Sequence, residues 1–140
     1  MQIAGKVALV TGAGRGIGRA LCREFRQRGA AGIVVADLDG AMAEATTAEL
    51  GGIGLQCDVA DAVAVRRVVE TAVARYGRVD ILVSNAGLGV KALDLDNALS
   101  ASDADWQRMW SVHVMAHVHA CRAVLPGMLE RGSGYLVNVA

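Results

Sequence analysis

Val7-Ala8-Leu9-Val10-Thr11-Gly12-Ala13-Gly14-Arg15-Gly16-Ile17-Gly18 reads as a short apolar strand that runs into a glycine turn and then into a helix. The spacing is G-x-x-x-G-x-G, at Gly12, Gly16 and Gly18. Glycine alone combines easy access to positive φ with the absence of a side chain. Gly12 therefore permits a tight turn, Gly16 lets backbone approach a pyrophosphate, and Gly18 lets helix and sheet pack closely. Exposed amides and the helix dipole favour an anion at such a turn, by about 0.3–2 kcal/mol for the dipole. Asp37 ends a second apolar run, Ile33 to Ala36, nineteen residues beyond Gly18. A carboxylate there can accept from both hydroxyls of an adenosine ribose, and its charge repels a 2′-phosphate. The two features together point to a dinucleotide, with NAD favoured over NADP. Arg15 pulls the other way, because a guanidinium in the turn suits that phosphate.

Outward from this turn, strand-like and helix-like runs alternate. A helix through Arg19 to Phe25 is closed by Gly29, and Ile33 to Asp37 is a second strand. Asp39 caps an alanine-rich helix, Ala41 to Leu50, that ends at Gly51-Gly52. Gly54 to Asp58 is a third strand. Asp61 caps a helix in which Val65, Val68, Val69, Ala72, Val73 and Tyr76 keep helical spacing until Gly77. Val79 to Ser84 is a fourth strand, and Asn85-Ala86-Gly87 turns out of it, whereas Leu88 to Ser100 has no clean period.

Ser102 to Asp105 has the form of a capping box, with Asp in the usual Glu place. It opens a long helix reaching Arg131, whose apolar stripe takes in Trp106, Met109, Trp110, Val114, Val118, Cys121, Leu125 and Met128. Pro126 is expected to bend or break its last turns, and Tyr135 to Val139 is the final strand. This alternation implies an α/β fold, a doubly wound parallel sheet with right-handed crossovers. Its ligand belongs at the carboxyl ends of the strands, where the strand order reverses. Thr11, Asp37, Asp58 and Asn85 all fall at such ends. Taken alone, Asp58 reads equally as a turn residue ahead of a helix, and Asn85 as an amide bracing the sheet.

The 140 residues make one domain, enough to bury about two thirds of the unfolded surface. An apolar share of 54% against an aromatic share of 4% leaves a core of Val, Ala, Leu and Ile, which suits buried parallel strands. Fourteen basic and fourteen acidic residues cancel, so no overall field recruits nucleic acid or an anionic membrane. No apolar run reaches the roughly 18 residues of a membrane span. No basic segment, apolar stretch and cleavage site opens the chain, so a cytoplasmic protein is expected.

Cys22, Cys57 and Cys121 are far apart, lack C-x-x-C spacing and read as buried, reduced thiols. His113 and His117 share a helix face near His119, but no Glu follows His113 and no fourth ligand is evident. They read as polar or interface-facing groups, and no metal is expected.

These motifs together resemble the short-chain dehydrogenase/reductase family, classical type, with its Rossmann fold. Thr11 to Gly18 matches that family's T-G-x-x-x-G-x-G, and Cys57-Asp58-Val59 matches its adenine-contacting Asp with the following residue. Ser84-Asn85-Ala86-Gly87 is similar to N-N-A-G, with Ser in the first Asn place. Tyr135-Leu136-Val137-Asn138-Val139 resembles the strand leading to the catalytic serine.

The resemblance covers the whole chain. It implies an NAD(P)-binding Rossmann domain over residues 1–140, incomplete on the C-terminal side. Gly12, Arg15, Gly16, Ile17 and Gly18 would line the pyrophosphate site. Asp37 and Leu38 would hold the adenosine ribose, Asp58 and Val59 the adenine, and Asn85, Ala86 and Gly87 would approach the nicotinamide ribose. It further implies hydride exchange with a small-molecule alcohol or carbonyl. A homo-oligomer packed through the long helix follows too, with Trp106, Trp110 and Met115 as candidates.

Two departures stand out. Where the family has a helix-kinking Asn that feeds a proton relay, this chain has His113, which either holds a water and shuttles a proton or fills space. The family's serine and its Y-x-x-x-K pair have no counterpart, because Tyr76, Tyr135, Lys6 and Lys91 are not so spaced. A tyrosine needs a neighbouring cation to act as acid or base near neutrality. No catalytic residue is therefore assigned, and the 140-residue chain is expected to be the inactive, cofactor-binding half of an NAD-dependent oxidoreductase. A non-catalytic dinucleotide-binding or assembly protein is the alternative. A methyltransferase fits less well, since its cofactor has no pyrophosphate to occupy the turn. Ending at a fifth strand is expected to leave a sheet edge and an apolar face uncovered.

Overall fold

Hydrophobic runs four to six residues long, the first four each followed by a helix, assemble here as a parallel sheet. The computed structural model describes residues 2–89 and 98–139; the middle of the aperiodic connection, with Lys91, lies outside the described residues. In chain order the elements are β1 Val7–Thr11, α1 Gly16–Gln27, β2 Gly32–Asp37, α2 Gly40–Leu50, β3 Ile53–Gln56, α3 Ala62–Tyr76 and β4 Ile81–Ser84. A 3-10 turn at Ala98–Ser100 then precedes α4 Asp103–Trp110, α5 Ala116–Glu130 and β5 Tyr135–Asn138.

The strand order is β3-β2-β1-β4-β5, and every neighbouring pair is parallel. The chain thus winds outward from β1 in both directions, the doubly wound, Rossmann-like α/β arrangement, with its reversal between β1 and β4.

Alternate residues of each strand serve opposite faces. Leu9, Val34 and Leu82 pack with Val65, Val68 and Val69 of α3 and with Ala116, Ala120 and Val124 of α5. Val10, Val35 and Val83 pack on the other face with Cys22 and Phe25 of α1 and Ala43 of α2. Covering on both sides explains why the central strands are apolar throughout. Asp39 caps α2 by accepting from Met42 N at 3.1 Å. Asp61 caps α3 from Val63 N at 2.8 Å, and Gly77 ends it in the left-handed region at φ 77°. The capping box at Ser102 and Asp105 is formed.

The long helix departs from expectation. It is interrupted at Ser111–Met115 by a widened, π-type turn, and α5 runs on through Pro126 to Glu130. Ser111 Oγ donates to Gln107 O at 2.9 Å, a local bond that competes with the helix ladder. Pro126 is exposed, and the helix continues past it for four residues.

The buried stripe is Val112, Ala116, Ala120, Val124 and Met128. Trp106 and Trp110, expected on the apolar stripe, are 54% and 55% exposed. Ala116 and Ala120 of α5 pack with Val65, Val68 and Val69 of α3, whereas the two tryptophans stand on α4. At the sheet edge, β5 exposes Tyr135, Leu136 and Val137 by 40–41%. The third strand stops two residues short of Asp58, and the fourth begins at Ile81, not Val79.

Just ahead of β4, Asp80 is 1% exposed. Its carboxylate takes the Val7 N–H at 2.9 Å and pairs with Arg78, joining the amino ends of β1 and β4. Burial alone would push this carboxyl up. Hydrogen bonds from Arg78 and the Val7 N–H, with the charges of Arg78 and Lys6, outweigh burial and hold it below the ordinary Asp range.

A carboxyl that binds its proton less readily folded than unfolded contributes fully above about pH 4, and loses that contribution as pH falls through its folded value. Asp80→Ala is expected to cost about 1–3 kcal/mol through the orphaned Val7 N–H. The ion pair adds little, since Arg78 is 40% exposed. Urea melts at pH 7 and pH 3.5 check this, with a smaller pH difference expected in the variant; an unchanged difference would remove Asp80 from the acid response.

Candidate functional site

At the point of reversal the exits of β1, β2, β3 and β4 frame a groove of about 570 Å³. Gly12, Arg15, Gly16, Ile17, Asp37, Leu38, Asp58, Val59, Asn85, Ala86 and Gly87 line it. Of the residues expected at the site, Gly18 alone lies beneath the surface of the groove, not on it.

The glycine turn is shaped by close approach on two sides. Gly12 has φ 62°, and a Cβ there would stand 2.7 Å from Ala86 Cα. Gly18 has no room either, because a Cβ would fall 2.5 Å from Gly12 O and 2.8 Å from Ala13 Cα. Gly16, at φ 57°, has nothing within 4 Å of the equivalent position. Backbone is therefore bare where α1 begins, and Arg15 at its N-cap makes no side-chain cap. Uncapped first-turn amides beside open space suit an anion, and a dinucleotide pyrophosphate fits these residues.

Asp37 supports the same turn. Its Oδ2 accepts from Gly14 N at 2.8 Å and its Oδ1 from Asp39 N at 3.1 Å, while Thr46 Oγ1 donates to Gly14 O at 3.2 Å. On the other side Thr11 Oγ1 accepts from Asn85 N at 3.0 Å and Ala86 N at 3.1 Å. Asn85 Nδ2 returns bonds to Thr11 O at 3.0 Å and Gly12 O at 3.2 Å. Asn85 is thus a brace between β1 and β4 as well as a lining residue. Asp58 likewise accepts from Ala60 N at 2.9 Å, a turn role, while facing the groove.

The charges around the groove are Arg15 and Arg108 against Asp37 and Asp58. Cys57 also lines it, but burial, with the charges of Asp58 and Asp61, pushes its thiol up to about 11. Burial pushes Cys22 up to about 12 and raises half-buried Cys121. None of the three is a thiolate near neutral pH.

The histidines each tie the long helix to the rim. His113 Nε2 lies 3.0 Å from Leu88 O, His117 Nδ1 is 2.7 Å from Ser84 Oγ, and His119 Nδ1 is 3.4 Å from Val59 O. Among the described residues, no group of His, Cys, Asp and Glu could hold a metal, and no helix is long and apolar enough to cross a membrane.

Tyr76 packs where a Cβ on Gly32 would meet its ring, with the Arg75 guanidinium 5.3 Å above it, and Tyr135 lies on β5. Neither tyrosine lines the groove. Sequence reasoning missed Cys57, Ala60, Leu88, Arg108 and Val112 as lining residues. Arg108 and Val112 stand four apart on one helix face, a spacing that was readable; the approach of that face to the β4 exit was not.

The chain matches the short chain dehydrogenase family over residues 6–140. It is 40% identical over 144 residues to the D-threitol dehydrogenase of Mycolicibacterium smegmatis, covering 99% of this chain and 54% of that protein. It is 37% identical over 135 residues to an NADP-dependent 3-hydroxy acid dehydrogenase of Shigella flexneri, covering 95% and 53%. The crystal structure of 3-ketoacyl-(acyl-carrier-protein) reductase from Brucella melitensis complexed with NADH superposes at a TM-score of 0.90 with 34% identity, over 99% of this chain and 58% of that one. The chain spans about half the length of the curated relatives it matches. A match that takes in both the glycine turn and the last strand leaves no part of this sheet to another origin, and the chain belongs to the short chain dehydrogenase family.

Proposed function

We propose that this chain is the cofactor-binding part, residues 1–140, of an NAD-dependent oxidoreductase that exchanges hydride between nicotinamide and a small alcohol or carbonyl compound. The observation that carries the reading is Asp37. Its carboxylate sits in the groove beside the uncapped start of α1, where an adenosine ribose attached to a pyrophosphate would lie. Bound there, NAD supplies the hydride acceptor. The residues of this chain orient it: Gly12, Arg15, Gly16, Ile17 and Gly18 shape and line the anion site, Asp37 and Leu38 take the ribose, and Asp58 and Val59 flank the adenine. Asn85, Ala86 and Gly87 serve the second ribose.

The acid–base pair belongs to sequence other than these residues, so the chain alone is expected to bind without turnover. NADH in the Brucella melitensis structure supports a nicotinamide cofactor, and the carboxylate of Asp37 supports NAD over NADP. The exposed stripe Trp106, Trp110 and Val114 supports pairing of two copies through their long helices, and a cytoplasmic location belongs to the same reading. Calorimetric titration of the 140-residue chain with NAD and NADP tests the cofactor assignment. NAD is expected to bind at least about tenfold more tightly, a difference of about 1.4 kcal/mol. Absence of binding, or preference for NADP, would overturn it.

A further inference from the structure

Thr46 is a fully buried residue of α2 and does not line the groove. A threonine inside a helix ordinarily turns its hydroxyl back on a carbonyl one turn earlier. Thr47 does so, donating to Ala43 O at 3.2 Å and Glu44 O at 3.0 Å. Its neighbour does not. Thr46 Oγ1 donates to Gly14 O at 3.2 Å, reaching thirty-two residues back into the glycine turn.

Gly14 is held through its other backbone group as well, because its N–H donates to Asp37 Oδ2 at 2.8 Å. It is also pressed against α2, since a Cβ there would stand 2.7 Å from Met42 Cβ and 3.0 Å from Asp37 Cγ. Glycine itself places few limits on the peptide plane that follows it. The plane between Gly14 and Arg15 therefore takes its orientation from these outside contacts. None of the described peptide bonds is cis, and in a planar trans peptide the C=O and N–H point opposite ways. Holding Gly14 O inward on buried Thr46 turns the Arg15 N–H outward, on the side where Arg15, Gly16 and Ile17 line the groove. Among the described residues nothing accepts from that N–H.

We infer that Thr46 is a positioning residue for the anion site: its hydroxyl fixes the Gly14–Arg15 peptide plane, so that the Arg15 N–H is aimed at a nucleotide phosphate before the nucleotide arrives. A donor fixed in advance costs no ordering on binding. The inference rests on the cofactor reading above and adds to it a residue of α2 that touches no part of the ligand. Thr46→Val keeps the branched shape and removes the donor, whereas Thr46→Ser keeps the donor.

The test compares ADP, followed by calorimetric titration, with adenosine, followed by NMR titration, on the 140-residue chain and both variants. Adenosine carries the base and ribose without a phosphate. Thr46→Val is expected to weaken ADP at least about tenfold, the scale of one hydrogen bond to a charged group, with adenosine unchanged. Thr46→Ser is expected to bind ADP as the unaltered chain does. Equal weakening of ADP and adenosine in Thr46→Val, which a merely structural role would produce, overturns the assignment. So does unweakened ADP binding, or a Thr46→Ser protein as weak as Thr46→Val.

Should Thr46→Val fail to fold, the unaltered chain decides. On NMR titration with inorganic pyrophosphate the Arg15 amide signal is expected to move further than that of Gly14, whose N–H is already held by Asp37. An Arg15 amide that stays still while other amides of the turn respond rejects the assignment. Failure of the cofactor reading looks different, because the unaltered chain would then bind neither ADP nor pyrophosphate.

Discussion

Gly18→Val is expected to unfold the glycine turn from beneath and to abolish dinucleotide binding. The added Cβ would stand 2.5 Å from Gly12 O, 2.8 Å from Ala13 Cα and 2.8 Å from Asn85 Nδ2. Two of these are backbone atoms that cannot swing aside, and the third is the amide that braces Thr11 and Gly12. Overpacking of this kind costs about 3 kcal/mol at the upper end of its ordinary range. For a chain of this size that lowers the melting temperature by roughly 6–12 °C. NAD affinity is expected to fall by at least about 100-fold, some 2.7 kcal/mol, because the amides at the start of α1 no longer converge. Gly16→Ala is the control. It meets open space and carries mainly the strain of φ 57°, about 1–2 kcal/mol, so it costs less stability. Thermal melts followed by circular dichroism, with calorimetric titration of NAD, separate the two. A Gly18→Val protein that melts and binds like the unaltered chain would show that close packing under the turn does not shape it.

How much of this was legible in the sequence depends on the range of the interaction. Asp39, Asp61, Gly77 and the capping box at Ser102 act on their own or adjacent turns, and each was readable from residue type and spacing. Strand alternation gave the parallel sheet, and the reversal between β1 and β4 then gathers strand ends that are far apart in the chain. Val112 and Ala116 could not be separated from Trp106 and Trp110 in the same way. Hydrophobicity did not distinguish them, and which of them meets α3 and the sheet is set by tertiary packing. No glycine or proline marks the π-type turn, and only the resemblance, which sets His113 at the family's helix-kinking Asn, pointed to it. The partner of His113 there, Leu88, lies twenty-five residues earlier in the chain. Thr11 was placed at a strand end, but the two amides its hydroxyl receives come from the far side of the groove.

Asp37→Asn is expected to shift cofactor preference toward NADP. In the unaltered chain a carboxylate and a 2′-phosphate would share the space beside Leu38. Like charges about 4 Å apart repel by roughly 1 kcal/mol in water and about 4 kcal/mol near a protein surface. Removing that charge is therefore worth about 5- to 1,000-fold for NADP, with the lower half of that range expected because the site is open to solvent. Asn keeps a carbonyl oxygen for Gly14 N, so that bond is retained while the bond from Asp39 N is lost, and it accepts more weakly from the ribose hydroxyls. NAD affinity is expected to fall about tenfold, the difference between charged and neutral acceptors at two bonds. Arg15 supplies the attraction. It is exposed, lines the groove and also lines a second cavity bounded by Asp37, Asp39 and Gln56. The double variant Arg15→Ala with Asp37→Asn is accordingly expected to lose the gain in NADP affinity while leaving NAD near the level of Asp37→Asn. The cycle is read by titrating all four proteins with both cofactors at low and high salt. NADP binding to Asp37→Asn is expected to weaken more steeply with salt than NAD binding. If Asp37→Asn bound NADP no better than the unaltered chain, the carboxylate would be only a brace for Gly14, and the choice of cofactor would lie with other residues.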